Sequence, residues 1–239
     1  MNIIFLSTWF PFPPDNGSKI RAYHLLRALA KKHQVSLVAF NPTTNTDFAA
    51  PGNLTVYPVQ ADPFRYVQLP QVIKYLSPVP LVFWRSKDME SAINRLKNQE
   101  QWDAIVAVQA PVARYALQLD IPRVLDVDTA LNYQLRQHYE AQTTRLGRWR
   151  AWVSWYKAYY YERALFRQFQ TCAVVSPMEV ASVQAMTRNR STVAVIPNGV
   201  DCAHHRPGLT DVRPHTLIYN GALTYSANYD AMRYFLVDI

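Results

Sequence analysis

The sequence predicts an α/β layer sandwich built on a parallel sheet, and three observations carry that prediction. The first is the opening: an apolar run at 2–7, a Pro- and Gly-rich loop, a helical pattern over 18–33 and a second apolar run at 35–40. Strand, loop, helix and strand in that order make one βαβ crossover, which joins parallel strands. The second is the return of the same alternation along the chain. The third is that the strand candidates are almost continuously apolar, as strands buried on both faces are.

In such a sheet the loop after the first strand lies beyond the strands' carboxyl ends, where ligands bind. Asp15, Asn16, Gly17, Ser18 and Lys19 therefore stand at the mouth of the expected site. Gly17 permits a positive φ and lets a ligand approach without meeting a Cβ. Ser18 reads as the N-cap, and the free N–H groups of the next turn suit a phosphate or sugar hydroxyls. An ordinary capped helix with a solvated loop is the competing reading. Along the helix, Arg21, His24, Arg27 and Lys31 recur every three or four residues and predict a basic outer stripe, with Lys19 and Arg21 nearest the loop.

Residues 41–53 read as irregular and 54–59 as a third strand. The stretch 64–81, broken by Pro70, Pro78 and Pro80, predicts interrupted helix with an apolar face, a candidate lid or acceptor wall. Residues 86–98 form a helical pattern with Met89, Ile93 and Leu96 on one face. A buried strand follows at 104–108, then a short helix opened by Pro111. The next strand spans 124–129, where Asp126 and Asp128 alternate with apolar residues and face one side near the site-bearing edge. Paired acids can orient a sugar hydroxyl or act as general base, and Asp128 can equally cap the helix beginning near Thr129.

A long helix is expected over 145–169, carrying Trp149, Trp152, Trp155, Tyr156, Tyr159, Tyr160 and Tyr161 among Arg145, Arg148, Arg150, Lys157, Arg163 and Arg167. Rings mixed with basic residues are what an interfacial helix uses against anionic lipid. Arg148, Trp149, Arg150, Trp152 and Trp155 are the candidate membrane-surface residues; rings packed on the domain with solvated arginines are the alternative. Residues 171–176 and 193–197 read as strands, with a helix over 177–186 between them. A strand at 216–221 and a helix from about Asn228 predict the start of a second αβ unit. The expected organisation is thus a domain over 1–200, then a linker and an incomplete domain over 201–239.

Composition narrows the function. At 239 residues, 49% hydrophobic and 18% charged, the chain can bury a sizeable core. Its net charge of +8 predicts an anionic partner: nucleic acid, an acidic membrane surface or phosphorylated substrates. No nucleic-acid motif accompanies the charge, so nucleic acid is not expected. Cys172 and Cys202 have neither metal-ligand spacing nor a disulfide framework, so no metal is expected. The first apolar run is too short for a signal peptide and no basic region precedes Ile3. No stretch reaches the roughly 18 apolar residues of a membrane span. The expected location is cytoplasmic, with a peripheral place on the inner membrane face as the variant.

Motifs in order along the chain add a resemblance. Asp15-Asn16-Gly17-Ser18 with Arg21, then Val174-Val175-Ser176, then Val195-Ile196-Pro197-Asn198-Gly199-Val200-Asp201 are similar to those of the group-one glycosyltransferases. Tyr219-Asn220-Gly221-Ala222-Leu223 followed by Asn228-Tyr229-Asp230-Ala231 resembles the first strand, loop and helix of that family's C-terminal domain. The resemblance implies the GT-B architecture of two facing Rossmann-like domains, here an N-terminal half with a truncated C-terminal domain. It implies retaining transfer of a sugar from a nucleotide-sugar donor to a glycan or lipid-linked acceptor, without a metal or other cofactor, in polysaccharide or glycolipid biosynthesis. Carried over by position, Gly17 and Ser18 would approach the donor diphosphate from one wall of the cleft and Gly221 from the other. Asn198 and Gly199 would lie in the interdomain connection. Many relatives place a His where this chain has Asp126-Val127-Asp128, so the role of those acids is where it departs. The chain alone is expected to be inactive; the alternative is a non-catalytic acceptor- or membrane-binding module.

Overall fold

The computed structural model describes residues 1–43, 52–64, 68–77, 79–80, 83, 85–128, 130–203, 205–206, 208, 211, 213–223 and 226–239. Among the expectations above, those that fall on 44–51, 65–67, Pro78, 81–82, 84 and Thr129 lie outside the described residues. The chain divides into two compact units, Met1–Asn198 and Gly199–Ile239.

The first unit runs β1 (Asn2–Ser7), α1 (Gly17–Ala30), β2 (Gln34–Phe40), β3 (Leu54–Val59), α2 (Gln71–Leu76), α3 (Lys87–Lys97) and β4 (Ala104–Val108). It continues with α4 (Ala110–Ala113), a 3₁₀ turn (Arg114–Gln118), β5 (Arg123–Asp126), α5 (Leu131–Glu140), α6 (Arg145–Phe166), β6 (Thr171–Val174), α7 (Pro177–Thr187) and β7 (Thr192–Val195). The seven strands form one sheet in the order β3-β2-β1-β4-β5-β6-β7, with every pairing parallel. This is the expected α/β architecture, a Rossmann-like parallel sheet flanked by helices. The order reverses between β1 and β4, and at such a switch point a crevice opens beyond the carboxyl ends.

Strand alternation sorts the core onto the two faces of the sheet. Ile3 and Phe5 of β1, with Val35 and Leu37 of β2, cluster with Ala22, Leu26 and Ala30 of α1. Their sequence neighbours Ile4, Leu6, Val38 and Phe40 join the opposite cluster, with Met89, Ile93 and Leu96 of α3 and Leu165 and Phe166 of α6. Both faces are covered, which accounts for strands that lack polar alternation.

The ends of several elements differ from the sequence reading, and four differences bear on the site or on the second unit. The N-cap of α1 is Asn16, whose Oδ1 accepts from the Lys19 N–H at 3.1 Å, so the helix starts two residues earlier than a Ser18 cap would set it. The strand read over 124–129 ends at Asp126, because Asp128 adopts a left-handed φ of 55°. Asp128 does not cap the following helix. The N-cap of α5 is Ala130, which has no side-chain acceptor, and the buried Glu162 carboxylate of α6 takes its place. Glu162 accepts from Leu131 N at 2.8 Å, Asn132 N at 2.9 Å and Asn132 Nδ2 at 2.7 Å. In the second unit, α8 (Ser226–Val237) forms but 216–221 makes no strand, and Leu217 and Ile218 are 79% and 90% exposed. A strand satisfies its backbone through a neighbour, and that unit contains no strand among the described residues.

Burial raises the Glu162 pKa above its ordinary value of 4.5, with the hydrogen bonds from Asn132 and Leu131 working against the shift. The native state therefore binds this proton more tightly than the unfolded chain, and ionising Glu162 costs folding free energy. In urea titrations, wild-type stability should fall relative to Glu162→Gln as pH rises above about 4.5, levelling once Glu162 is ionised in the native state too. Parallel pH profiles for the two proteins would contradict this.

Candidate functional site

The carboxyl edge at the switch point is built around a buried ion pair. Arg21 was expected on the outer stripe of α1, yet it is only 7% exposed and turns inward, leaving His24, Arg27 and Lys31 outside. Its Nε donates to Asp126 Oδ2 at 2.8 Å and its Nη2 to Asp126 Oδ1 at 2.6 Å, a two-pronged contact. The remaining Nη1 donates to Asn198 Oδ1 at 3.0 Å. Burial opposes the guanidinium charge, but the hydrogen bond and charge of Asp126 outweigh it, and the Arg21 pKa rises.

One turn earlier on α1, Ser18 Oγ donates to Asp128 Oδ2 at 2.9 Å. Gln109, immediately after β4, donates from Nε2 to the same Asp128 oxygen at 3.0 Å and to Ser18 Oγ at 2.9 Å. The three side chains close a triangle across the switch point. Gln109 and Asp128 both hold left-handed backbones, with φ of 72° and 55°. Side chains other than glycine pay for that conformation, and it persists where the surroundings impose it, often at functional sites. Asp128 Oδ1 has no hydrogen bond among the described residues. Sequence reasoning missed Gln109. The available signal was its position: a polar residue directly beyond the carboxyl end of a buried strand.

The other loop residues gather nearby on α1. Lys19 Nζ pairs with Asp15 at 3.0 Å, an exposed i,i+4 pair of little energetic weight. Gly17 has no positive φ, and a Cβ there would meet nothing within 4 Å. The fold itself does not require glycine at 17; only an approaching ligand would. Gly199 and Gly221 belong to the second unit; a Cβ at Gly221 would lie 2.6 Å from Tyr219 Cε1.

A cavity of about 890 Å³ opens at the carboxyl ends of β2 and β3, lined by Phe40, Gln60, Asp62, Lys87, Pro111 and Tyr115 among others. Gln68 and Leu69, from the stretch read as a lid or acceptor wall, are also in its lining. On α6, Trp149 and Trp152 are exposed with Arg148 and Arg150, while Trp155 is half-buried and stacks on Tyr139 of α5 at 5.6 Å. Burial pushes the Cys172 thiol up to about 12, which makes it a packing group rather than a nucleophile. No group of His, Cys, Asp and Glu among the described residues could hold a metal ion.

Residues 15–204 match the family model of Glycosyltransferase Family 4. No curated protein sequence matches the chain. Among solved structures, the sucrose-phosphate synthase of Thermosynechococcus elongatus is similar at 15% identity and a TM-score of 0.59, over 85% of this chain and 49% of that one. An α,α-trehalose-phosphate synthase (UDP-forming) of Burkholderia vietnamiensis matches at 12% identity and a TM-score of 0.45, over 84% of this chain and 49% of that one. The chain spans about half the length of these solved structures.

Breaking the ion pair on one side should cost more than removing it. Arg21→Met should destabilise the fold by about 3–5 kcal/mol, since it strands a buried carboxylate, whereas Arg21→Met with Asp126→Leu should recover most of that loss. Denaturant titrations of the three proteins measure both effects. A double variant no more stable than the single one would mean that the pair is not the unit of stability.

Proposed function

The chain belongs to Glycosyltransferase Family 4, and we propose that its first unit is the acceptor-side domain of a retaining sugar transferase. The reaction moves a sugar from a nucleotide-sugar donor to a glycan or lipid-linked acceptor, without a metal. The observation that supports this reading is the Ser18–Asp128–Gln109 triangle at the switch point. With Oδ2 engaged twice, Asp128 keeps Oδ1 to accept from an acceptor hydroxyl and orient its oxygen toward the donor carbon. Asp128 is thus the candidate catalytic residue, Gln109 and Ser18 hold its carboxylate, and Arg21, Asp126 and Asn198 hold the frame.

Gly17, Ser18 and Lys19 open α1, where free N–H groups and the helix dipole favour an anionic group such as a diphosphate. The cavity combines Gln60, Asp62 and Lys87 with Phe40 and Tyr115. Hydrogen-bonding side chains over an apolar floor suit a polyhydroxylated acceptor. The leaving diphosphate needs donors on both walls of a cleft, and removing even one such contact commonly costs about 100- to 1,000-fold in rate. The Gly199–Ile239 unit offers one helix and no strand among the described residues. Donor capture and turnover therefore require a second full domain.

A glycan array followed by titration of the best oligosaccharide tests this division of labour. Asp128→Asn and Gln109→Ala should each weaken oligosaccharide binding by about tenfold or more, the cost of a lost hydrogen bond to a charged group. Uridine and guanosine diphosphate sugars should give no micromolar binding and no turnover with the 239-residue chain. Unchanged oligosaccharide binding in both variants would overturn the site, and steady turnover by the purified chain would overturn the need for a second domain.

A further inference from the structure

The outer face of α6 is an unusual surface. Arg145, Trp149, Trp152, Tyr156, Tyr160 and Arg163 follow one another at intervals of four, three, four, four and three residues. At 3.6 residues per turn, that spacing puts all six on one narrow stripe. Trp149, Trp152, Tyr156 and Tyr160 are 53%, 42%, 47% and 49% exposed. Their rings form a ladder: Trp152 lies 5.3 Å from Tyr156, Tyr156 lies 4.4 Å from Tyr160, and the Arg163 guanidinium lies 6.0 Å from the Tyr160 ring.

The opposite face is fixed to the domain. Ala151, Ala158, Glu162, Leu165 and Phe166 are buried there, so the stripe is presented on a rigid helix. Trp155 leaves the stripe for the α5 interface, where it stacks on Tyr139 beneath the Arg136 guanidinium. The burial of Glu162 removes the helix's only acidic side chain from the surface, leaving Arg145, Arg148, Arg150, Lys157 and Arg163 as its charges. No helix among the described residues is long and apolar enough to cross a membrane.

We infer that this stripe is a docking surface for an anionic phospholipid bilayer, on which α6 lies flat. The rings of Trp149, Trp152, Tyr156 and Tyr160 enter the headgroup layer, and Arg145, Arg148, Arg150 and Arg163 pair with lipid phosphates. Tryptophan and tyrosine favour that depth because one end of each ring is apolar and the other bonds to water. The charge selects lipid over a second copy of the chain, since two such faces would bring like charges together. The inference goes beyond sugar transfer and is read by a measurement independent of it.

Co-sedimentation of the 239-residue chain with phosphatidylglycerol-containing vesicles and with pure phosphatidylcholine vesicles tests the inference. Binding to the anionic vesicles should dominate and should weaken as salt is raised. Arg145→Ser and Arg150→Ser, both exposed, should each weaken it about fivefold. Trp152→Ser with Tyr156→Ser should reduce it at least as much, with circular dichroism unchanged. Equal binding to both vesicle types, or unchanged binding by the ring variant, would overturn the inference. So would a concentration-dependent dimer that the ring variant abolishes in the absence of vesicle binding.

Discussion

Two charges taken out of water must find each other, and in this fold the pair is Arg21 and Asp126. Desolvation makes each intolerable alone, and the two-pronged contact leaves little freedom in the distance or angle between their carriers. Those carriers are the second turn of α1 and the carboxyl end of β5, with Arg21 and Asp126 105 residues apart in sequence. The third guanidinium nitrogen reaches Asn198, so the same side chain also fixes the last residue of the first unit. Ser18 lies one turn before Arg21, and the pair thereby sets the height at which Ser18 meets Asp128.

The strain at the edge follows from that constraint. Left-handed backbones at Gln109 and Asp128 cost on the order of 1–3 kcal/mol each, offset by the hydrogen bonds their side chains make with Ser18 and with each other. What results is a carboxylate held at the switch point with one oxygen committed and the other without a hydrogen bond among the described residues. Glu162 plays a parallel structural part on the neighbouring helix, anchoring α5 through its first two N–H groups. Two buried acids thus position two helices on the same edge of the sheet, and neither has to meet a substrate to do so.

Much of the scaffold was legible in the sequence, because both covered faces leave a direct trace in apolar strands and returning crossovers. The succession of seven strands and their intervening helices along the first unit followed from that trace. Arg21 was misread because helical periodicity records residue type, while its burial depends on a partner far along the chain. Asn16 and Ser18 are both good caps, and nothing local decides between them; the geometry gives the cap to Asn16 and frees Ser18 for Asp128. Glu162 left a signal that was passed over, a lone acid in a basic aromatic helix. Residues 216–221 have strand propensity but no ladder partner, so propensity alone misled. The rings of α6 could not be sorted from sequence, since only packing separates Trp155 from Trp152.

On the proposed reading, Asp128 Oδ1 is the sugar-facing atom of this edge. A crystal structure of the chain with a bound acceptor oligosaccharide tests it most directly. A sugar hydroxyl should lie within about 3 Å of Asp128 Oδ1, with the contacts from Ser18 and Gln109 to Oδ2 retained. An oligosaccharide bound elsewhere on the sheet, with Asp128 turned wholly toward the protein, would contradict it.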